Sequence, residues 1–414
     1  MSILITFLIL SLTALTLLLL RIFIRGFRYN WLFAVGSTLI AWVSVFMWQS
    51  QMPSSLQFAA WQPATIFPQS PTFLADRISW AFALSLITLC LAIILTAVVR
   101  ARFPSPISWV GTLTLTALGV MAVVADNALT LVLIWAAIDL VELVVQIWFV
   151  EDPKLSERVV ISFASRATGI LILLWADIVG AASGQLSDFR LATPQAGLYL
   201  VLAAALRVGV LPLHLPYPSE SALRRGFGTG LRMVSAASSL ILLARIPASS
   251  LASPLAPYLL MLVSLAAVYG GWMWLRAPDE LTGRPFWLIG MGSLVVAAAL
   301  RSNPIGAAAW SCALILSGSA LFLFSEQNKW LTRVLYVGAF GISSLPFSLT
   351  ATGWNSGGTG FWPAFPFLLV SHAMLLAGFI RHSQRTGTRV TNTDQPIWAR
   401  NVYPIGVMLL LVTI

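Results

Sequence analysis

Apolar runs long enough to cross a bilayer, about 17–25 residues each, recur along the whole chain. Residues 3–20, 31–48 and 78–99 come first, then 107–125, 129–150 and 159–182. The later runs are 198–216, 231–244, 255–275, 286–300, 305–324, 331–354, 361–380 and 402–414. Short polar segments separate them, so the pattern predicts an all-α polytopic membrane protein of about fourteen transmembrane helices. The segment 49–75, rich in proline, tryptophan and polar side chains, reads as a long loop.

Two of these runs are interrupted. The stretch LVLAAALRVGVLPLHLPYP at 200–218 carries Arg207 near its middle and then meets Pro212. Proline lacks the backbone donor and clashes with the carbonyl four residues back, so an intact helix cannot pass through it. Hydrocarbon supplies no replacement partner, and a break is tolerated only where protein or a hydrated cavity satisfies the freed groups. The twelfth run repeats the feature, with Leu345-Pro346-Phe347 in the place of Leu211-Pro212-Leu213. The two breaks lie five spans apart. An odd offset reverses the second unit across the membrane, and paired interrupted helices in inverted repeats point to a site near the midplane. The expected organisation is three leading helices (1–106), repeats of five helices at 107–247 and 248–380, and a loop with a last helix at 381–414.

Charge inside the spans is sparse and local. The fifth span holds Asp139, Glu142 and Gln146, whose spacing of three and then four residues puts them on one stripe. Two carboxylates so close repel one another when both are ionised, so one could hold or relay a proton; the alternative is static pairing with arginines of neighbouring spans. Arg166 lies about two turns inside the sixth span and is a partner for these carboxylates, whereas Asp177 sits near the end of that span. His214, at the break, is of a side-chain type that can take and pass protons, and Arg232 enters the eighth span early. The second half is poorer, with Arg301 and Glu326 at span ends and His372 inside the thirteenth span. Trp272, Trp274, Trp287 and Trp310 read as interface or packing aromatics. The glycine cluster at 226–230 lacks the spacing and lysine of a phosphate loop.

Composition agrees. Of 414 residues, 58% are hydrophobic and 9% charged, against about 25% charged in soluble domains. Cys90 and Cys312 lie in apolar runs and offer neither a disulfide framework nor a metal site. The net charge of +10 reports topology, and no basic soluble face for nucleic acid appears. Arginines follow the first span (Arg21, Arg25, Arg28), the third (Arg100, Arg102) and the thirteenth (Arg381, Arg385, Arg389, Arg400), whereas the segments near Asp126 and Asp188 are acidic or neutral. Odd-numbered loops are therefore expected in the cytoplasm and the amino terminus outside. The first span, lacking a small-residue cleavage site, reads as a retained helix rather than a signal peptide, and the last as short or atypical. Lysine occurs only at Lys154 and Lys329, so nearly all positive charge sits on a side chain that does not release its proton.

Several strings together resemble the antiporter-like membrane subunits of respiratory complex I and Mrp cation/proton antiporters. They are FLADRIS at 73–79, NALTL at 127–131 through Trp135, Ser165-Arg166, LVLAAALRVGVLPLH at 200–214, LILLAR ending at Arg245, and SLPF at 344–347 through Gly353-Trp354. The resemblance spans most of the chain. It implies a proton relay through a glutamate of the fifth span and lysines or histidines of the seventh, eighth, eleventh and twelfth. Here the glutamate position is Ala136, with Asp139 and Glu142 one and two turns on. The seventh-span lysine is Arg207, the eighth falls at Leu231 or Arg232, the eleventh near Ser319 and the twelfth near Asn355; Arg166 is retained. An arginine stays protonated and cannot cycle a proton, so the usual lysine relay is expected to be largely lost.

The resemblance implies a divergent subunit of a multi-subunit proton- or ion-translocating complex, complex I-like, Mrp-like or for inorganic-carbon uptake. It would sit among other integral membrane subunits and lipid, in a bacterial inner or thylakoid-type membrane. Asp139, Glu142, Arg166, Arg207, His214 and Arg232 are its candidate ion-pathway residues, and Pro212 and Pro346 its helix breaks. No cofactor, catalytic group or metal ligand is expected, and at most the chain is the membrane part of a quinone oxidoreductase-like complex. The alternatives are a purely structural subunit and an independent anion transporter using Arg207 and Arg232 as ligands.

Overall fold

The computed structural model describes residues 2–24, 27, 29–59, 70–99, 104–149, 153–182, 189, 192–215, 225–251, 253–324, 329–355, 362–385 and 397–414. Of the charges read above, Arg25, Arg28, Arg100, Arg102, Asp188, Glu326 and Arg389 lie outside them. Fourteen α-helices are present among the described residues: α1 (Ser2–Phe23), α2 (Asn30–Trp48), α3 (Arg77–Thr96), α4 (Pro106–Val124), α5 (Ala128–Phe149), α6 (Pro153–Ala182) and α7 (Pro194–Val208). The rest are α8 (Phe227–Arg245), α9 (Ala256–Arg276), α10 (Glu280–Leu300), α11 (Pro304–Leu323), α12 (Lys329–Gly341), α13 (Phe365–Ser383) and α14 (Ile397–Val412). Eleven of them are long and apolar enough to cross a membrane. The expected all-α polytopic architecture stands.

Burial sorts the helices into a centre and a rim. In α3, α8 and α10 about 94% of the apolar window is buried by protein, but only about a third in α1, α2, α6 and α13. The central helices bury their polar positions with the rest, Arg232 and Arg284 among them. The rim helices bury one stripe and leave large apolar side chains such as Leu12, Leu39, Leu171 and Val370 exposed, as lipid contact requires. Trp274 and Trp287 are packing aromatics at the centre, with ring centroids 5.2 Å apart; Trp272 is half exposed beneath the Arg276 guanidinium.

The long second loop contains structure that the pattern did not predict. Ser54–Gln57 (β1) and Thr72–Ala75 (β2) pair antiparallel. The hairpin is tied to the following bundle, for Thr72 donates its amide to the Thr130 hydroxyl at 2.9 Å and accepts from the Asp126 amide at 3.0 Å. Asp76 then caps α3 in a capping box with Ser79. Arg245, ending α8, donates to the carbonyls of Leu74 and Ala125 and stands 4.0 Å from Asp76. The arginine of LILLAR and the aspartate of FLADRIS are thus two parts of one joint.

Both breaks fall earlier than the prolines suggest. The helix α7 starts at Pro194, behind a Thr193 cap, and stops at Val208. Gly209 is its C-cap in the left-handed region, φ 83°, donating to Ala205 and Leu206 carbonyls, a conformation that glycine adopts without Cβ strain. Pro212 lies in the turn beyond, after a cis peptide bond. Likewise α12 ends at Gly341, five residues before Pro346, and residues 342–355 form turns rather than a second helical limb. Thr350 closes that turn by donating its amide and hydroxyl to the Gly341 carbonyl. In both cases the helix has ended several residues before the proline, which prevents its resumption.

Candidate functional site

The site grows from the fifth helix. Asn127 caps α5 by accepting from the Thr130 amide at 2.9 Å and is itself held by the Ser70 carbonyl. The register this sets turns the Asp139–Glu142–Gln146 stripe inward, and all three side chains are buried. Buried carboxylates in hydrocarbon demand partners, and α6 and α7 deliver them.

Arg207 lies in the last turn of α7, where a cation also complements the helix dipole. Its two terminal nitrogens donate to the two oxygens of Asp139, Nη1 to Oδ2 at 2.6 Å and Nη2 to Oδ1 at 2.8 Å. This is the bidentate fork that only guanidinium offers. Two further donors are engaged. Nη1 also donates to the Arg166 carbonyl at 3.1 Å, Nε donates to the Ser239 hydroxyl at 3.2 Å, and the guanidinium stacks 4.3 Å from the Trp135 ring. Trp135 is fixed in turn by donating to the Ser238 carbonyl of α8.

Arg166 of α6 holds the other carboxylate. Its Nη1 pairs with Glu142 Oε2, and its Nε stands 3.4 Å from Asp139 Oδ1. The cluster is therefore two carboxylates and two guanidiniums, formally neutral, and at most 2% of any of these side chains is exposed. Its members are not equivalent. Asp139 is held by both arginines, whereas the only ion pair of Glu142 among the described residues is with Arg166, and Glu142 Oε1 has no hydrogen-bond partner among them.

The other two candidate residues are placed differently. Arg232 is buried on α8, near enough to act electrostatically on Glu142. His214 lies half-buried beyond the break with Nδ1 2.8 Å from the Pro212 carbonyl. Among the described residues no ion pair or hydrogen bond joins His214 to the four-residue core, so the break does not bring its titratable group there.

Several participants escaped the sequence reading. Ser239, Ser238 and Gly169 carry no chemical signal of their own. Arg284 precedes the apolar run that begins at 286, but Asp279 caps an α10 that starts six residues earlier, at Glu280, and runs through Pro285. Arg284 is thereby buried one turn inside, donating to the Thr229 hydroxyl at 2.8 Å. Near it Arg225 pairs with Glu280 at 2.6 Å.

No protein-family model and no curated protein matches the sequence. Solved structures match its fold. Against a chain of the Mrp complex from Dietzia sp. DQ12-45-1b the TM-score is 0.78 at 16% identity, covering 100% of this chain and 49% of that one. The chain thus spans about half the length of its Mrp counterpart. Against the membrane-bound sulfane sulfur reductase, an archaeal respiratory membrane complex, the TM-score is 0.76 at 15% identity, with coverage of 98% and 74%. Against respiratory complex I from Thermus thermophilus with bound aureothin it is 0.71 at 16% identity, with coverage of 98% and 96%. The resemblance to antiporter-like membrane subunits stands at the level of fold.

Proposed function

We propose that the chain is a divergent antiporter-like subunit of a multi-subunit proton- or ion-translocating membrane complex, and that Glu142 is its one proton-exchanging group. The observation that carries this is the inequality of the two carboxylates. Asp139 is held between two guanidiniums that do not release protons, so it serves as a fixed counter-charge. Glu142, with a single ion-paired oxygen, can take up or release a proton without dismantling the Arg207 fork. In place of a chain of lysines passing a proton on, one carboxylate responds to the field of static arginines. The fold shared with chains of an Mrp complex, a respiratory complex I and an archaeal respiratory complex supports the setting.

In this reading other integral membrane subunits and lipid cover the rim helices, and the five-helix units 107–247 and 248–380 form inverted repeats. The arginine distribution puts the amino terminus outside and odd loops in the cytoplasm of a bacterial inner or thylakoid-type membrane. The second half supplies no embedded lysine, so the host complex rather than this chain would complete any further relay.

A second reading has its own support. Four of the five N–H donors of Arg207 are engaged, which is what a static brace between α5, α6, α7 and α8 requires, and a structural subunit would need nothing more. Proton flux in vesicles holding the intact complex separates the two, comparing wild type with Glu142→Gln and checking assembly on native gels. Lost flux with assembly intact supports Glu142 exchange. Unchanged flux would sink it and leave the brace.

A further inference from the structure

The α5 stripe does not end at the ion pairs. Gln146, one turn past Glu142 on the same face, is completely buried, and neither its Oε1 nor its Nε2 has a hydrogen-bond partner among the described residues. A carboxamide offers two donors and an acceptor with two lone pairs, and hydrocarbon satisfies none of them. On the adjoining stripe of α5, Val141 and Val145 pack with Leu115 of α4 and with Phe227 and Leu231 of α8 in a purely apolar cluster. Glu142 Oε1 faces the same shortage. An orphaned carboxylate oxygen and an orphaned carboxamide one turn apart supply the two to four polar contacts that a buried water needs.

We infer that Glu142 and Gln146 share a buried water site, and that Gln146 makes this the hydrated approach to the ion-pair cluster. The chemistry selects water over an ion. Arg166 and Arg232 both act on Glu142 and would repel a cation, while Glu142 itself repels an anion. Water, at once donor and acceptor, bridges a carboxylate to either end of an amide.

Position gives the site its direction. Gln146 lies about 6 Å along the helix from Glu142, and Phe149, the last residue of α5, about 4.5 Å further, at 1.5 Å per residue. The water therefore stands between Glu142 and the membrane face at which α5 ends. On the opposite side of Glu142 the cluster continues through Asp139 to Arg207 and the α7 break. A proton reaching Glu142 from the α5 end passes Gln146; one from the break must pass Arg207, which cannot relay it. Gln146 is thus a positioning residue for the approach, a role that rests on the reading of Glu142 as the exchanging group; the water site does not depend on that reading.

The test is a cryo-EM map of the intact native complex at a resolution that shows ordered water. Density within hydrogen-bond distance of both the Glu142 carboxylate and the Gln146 carboxamide is expected. A Gln146 amide bonded directly to protein groups, with no water between it and Glu142, would overturn the site. Gln146→Leu, close in size but without polar atoms, is expected to remove that density, to leave assembly on native gels unchanged and to lower proton flux roughly ten-fold. Density that persists beside Glu142 in this variant, or flux that does not fall, would deny Gln146 its part. Flux surviving Glu142→Gln would remove the proton-exchange reading instead, and the wild-type map would still decide the water site.

Discussion

Gly169 of α6 lies directly against the stem of Arg207: a Cβ built on Gly169 would stand 2.6 Å from Arg207 Cγ and 3.1 Å from Cδ. The guanidinium reaches Asp139 across α6 because that helix has no side chain at this point. Small residues let membrane helices approach closely, and here the approach also gives the charge its route to its partner. The Ala203 carbonyl, 3.2 Å from the same Cβ, closes off the other direction of escape.

Gly169→Ala is accordingly expected to push α6 from α7 and loosen the fork, destabilising the subunit by about 1–3 kcal/mol, the usual range for overpacking. Gly180→Ala, later on the same helix, meets nothing within 4 Å and should be neutral. Thermal-shift midpoints of the purified complex would compare the two. Equal effects at both positions would mean that the Arg207 contact is not what matters.

Breaking the fork from one side leaves a charge stranded. Arg207→Met is expected to cost about 3–5 kcal/mol, as for a buried pair deprived of one partner, softened by the Arg166 Nε beside Asp139. Adding Asp139→Leu should recover part of the loss, because hydrocarbon then faces hydrocarbon. Thermal midpoints of both single variants and the double variant measure this coupling. A double variant worse than Arg207→Met alone would show that Asp139 is held chiefly by Arg166.

Asp279 extends the argument to pH at a membrane-edge position. Partial burial opposes its charged form, but the Thr282 amide and hydroxyl, the Leu281 amide and the Arg225 charge outweigh that and hold its carboxyl below the ordinary aspartate value. A group depressed in the folded state stabilises at pH above its unfolded value and loses that contribution as pH falls through its folded value. The wild-type midpoint should therefore fall on acidification from about pH 4 downward more steeply than that of Asp279→Ala. At neutral pH that variant should already have lost about 1 kcal/mol of cap. Parallel pH profiles for the two proteins would rule the cap out as the source.

How much of this was legible beforehand follows from which interactions are local. The α5 stripe is a matter of helical period, so Asp139, Glu142 and Gln146 could be put on one face from spacing alone. Arg166 and Arg207 were visible as unusual cations, but the division of labour between them depends on how α6, α7 and α8 pack, which no local pattern encodes. Helices α7 and α12 end before the prolines that interrupt their apolar runs, α7 at Val208 with Gly209 as its cap and α12 at Gly341. The tenth span departs in the other direction: its apolar run begins at 286, but α10 starts at Glu280 and runs through Pro285, so Arg284 lies outside the run and inside the helix. His214 was judged by its chemistry, which does not say where a turn points it.

The substitution Arg207→Lys asks most directly what the arginine is for. Lysine is what the resembling subunits carry in this span, and it differs from arginine in two separable ways. Its ammonium is a single point and cannot reproduce the two-point fork to Asp139 or the stack on Trp135, so the variant should lose about 1–2 kcal/mol of stability while retaining the charge and the assembly. A buried lysine can also give up its proton where arginine cannot. If flux through this subunit is set by Glu142 alone, its pH profile in wild type carries one ionisation from this region. The lysine variant, placing a second titratable group near the same Asp139 counter-charge, should add a second limb. Flux in vesicles containing the intact complex, measured across pH for both proteins, reads this directly. A profile that gains no second limb, in a complex that still assembles, would put position 207 off the proton's route and leave Arg207 as a brace.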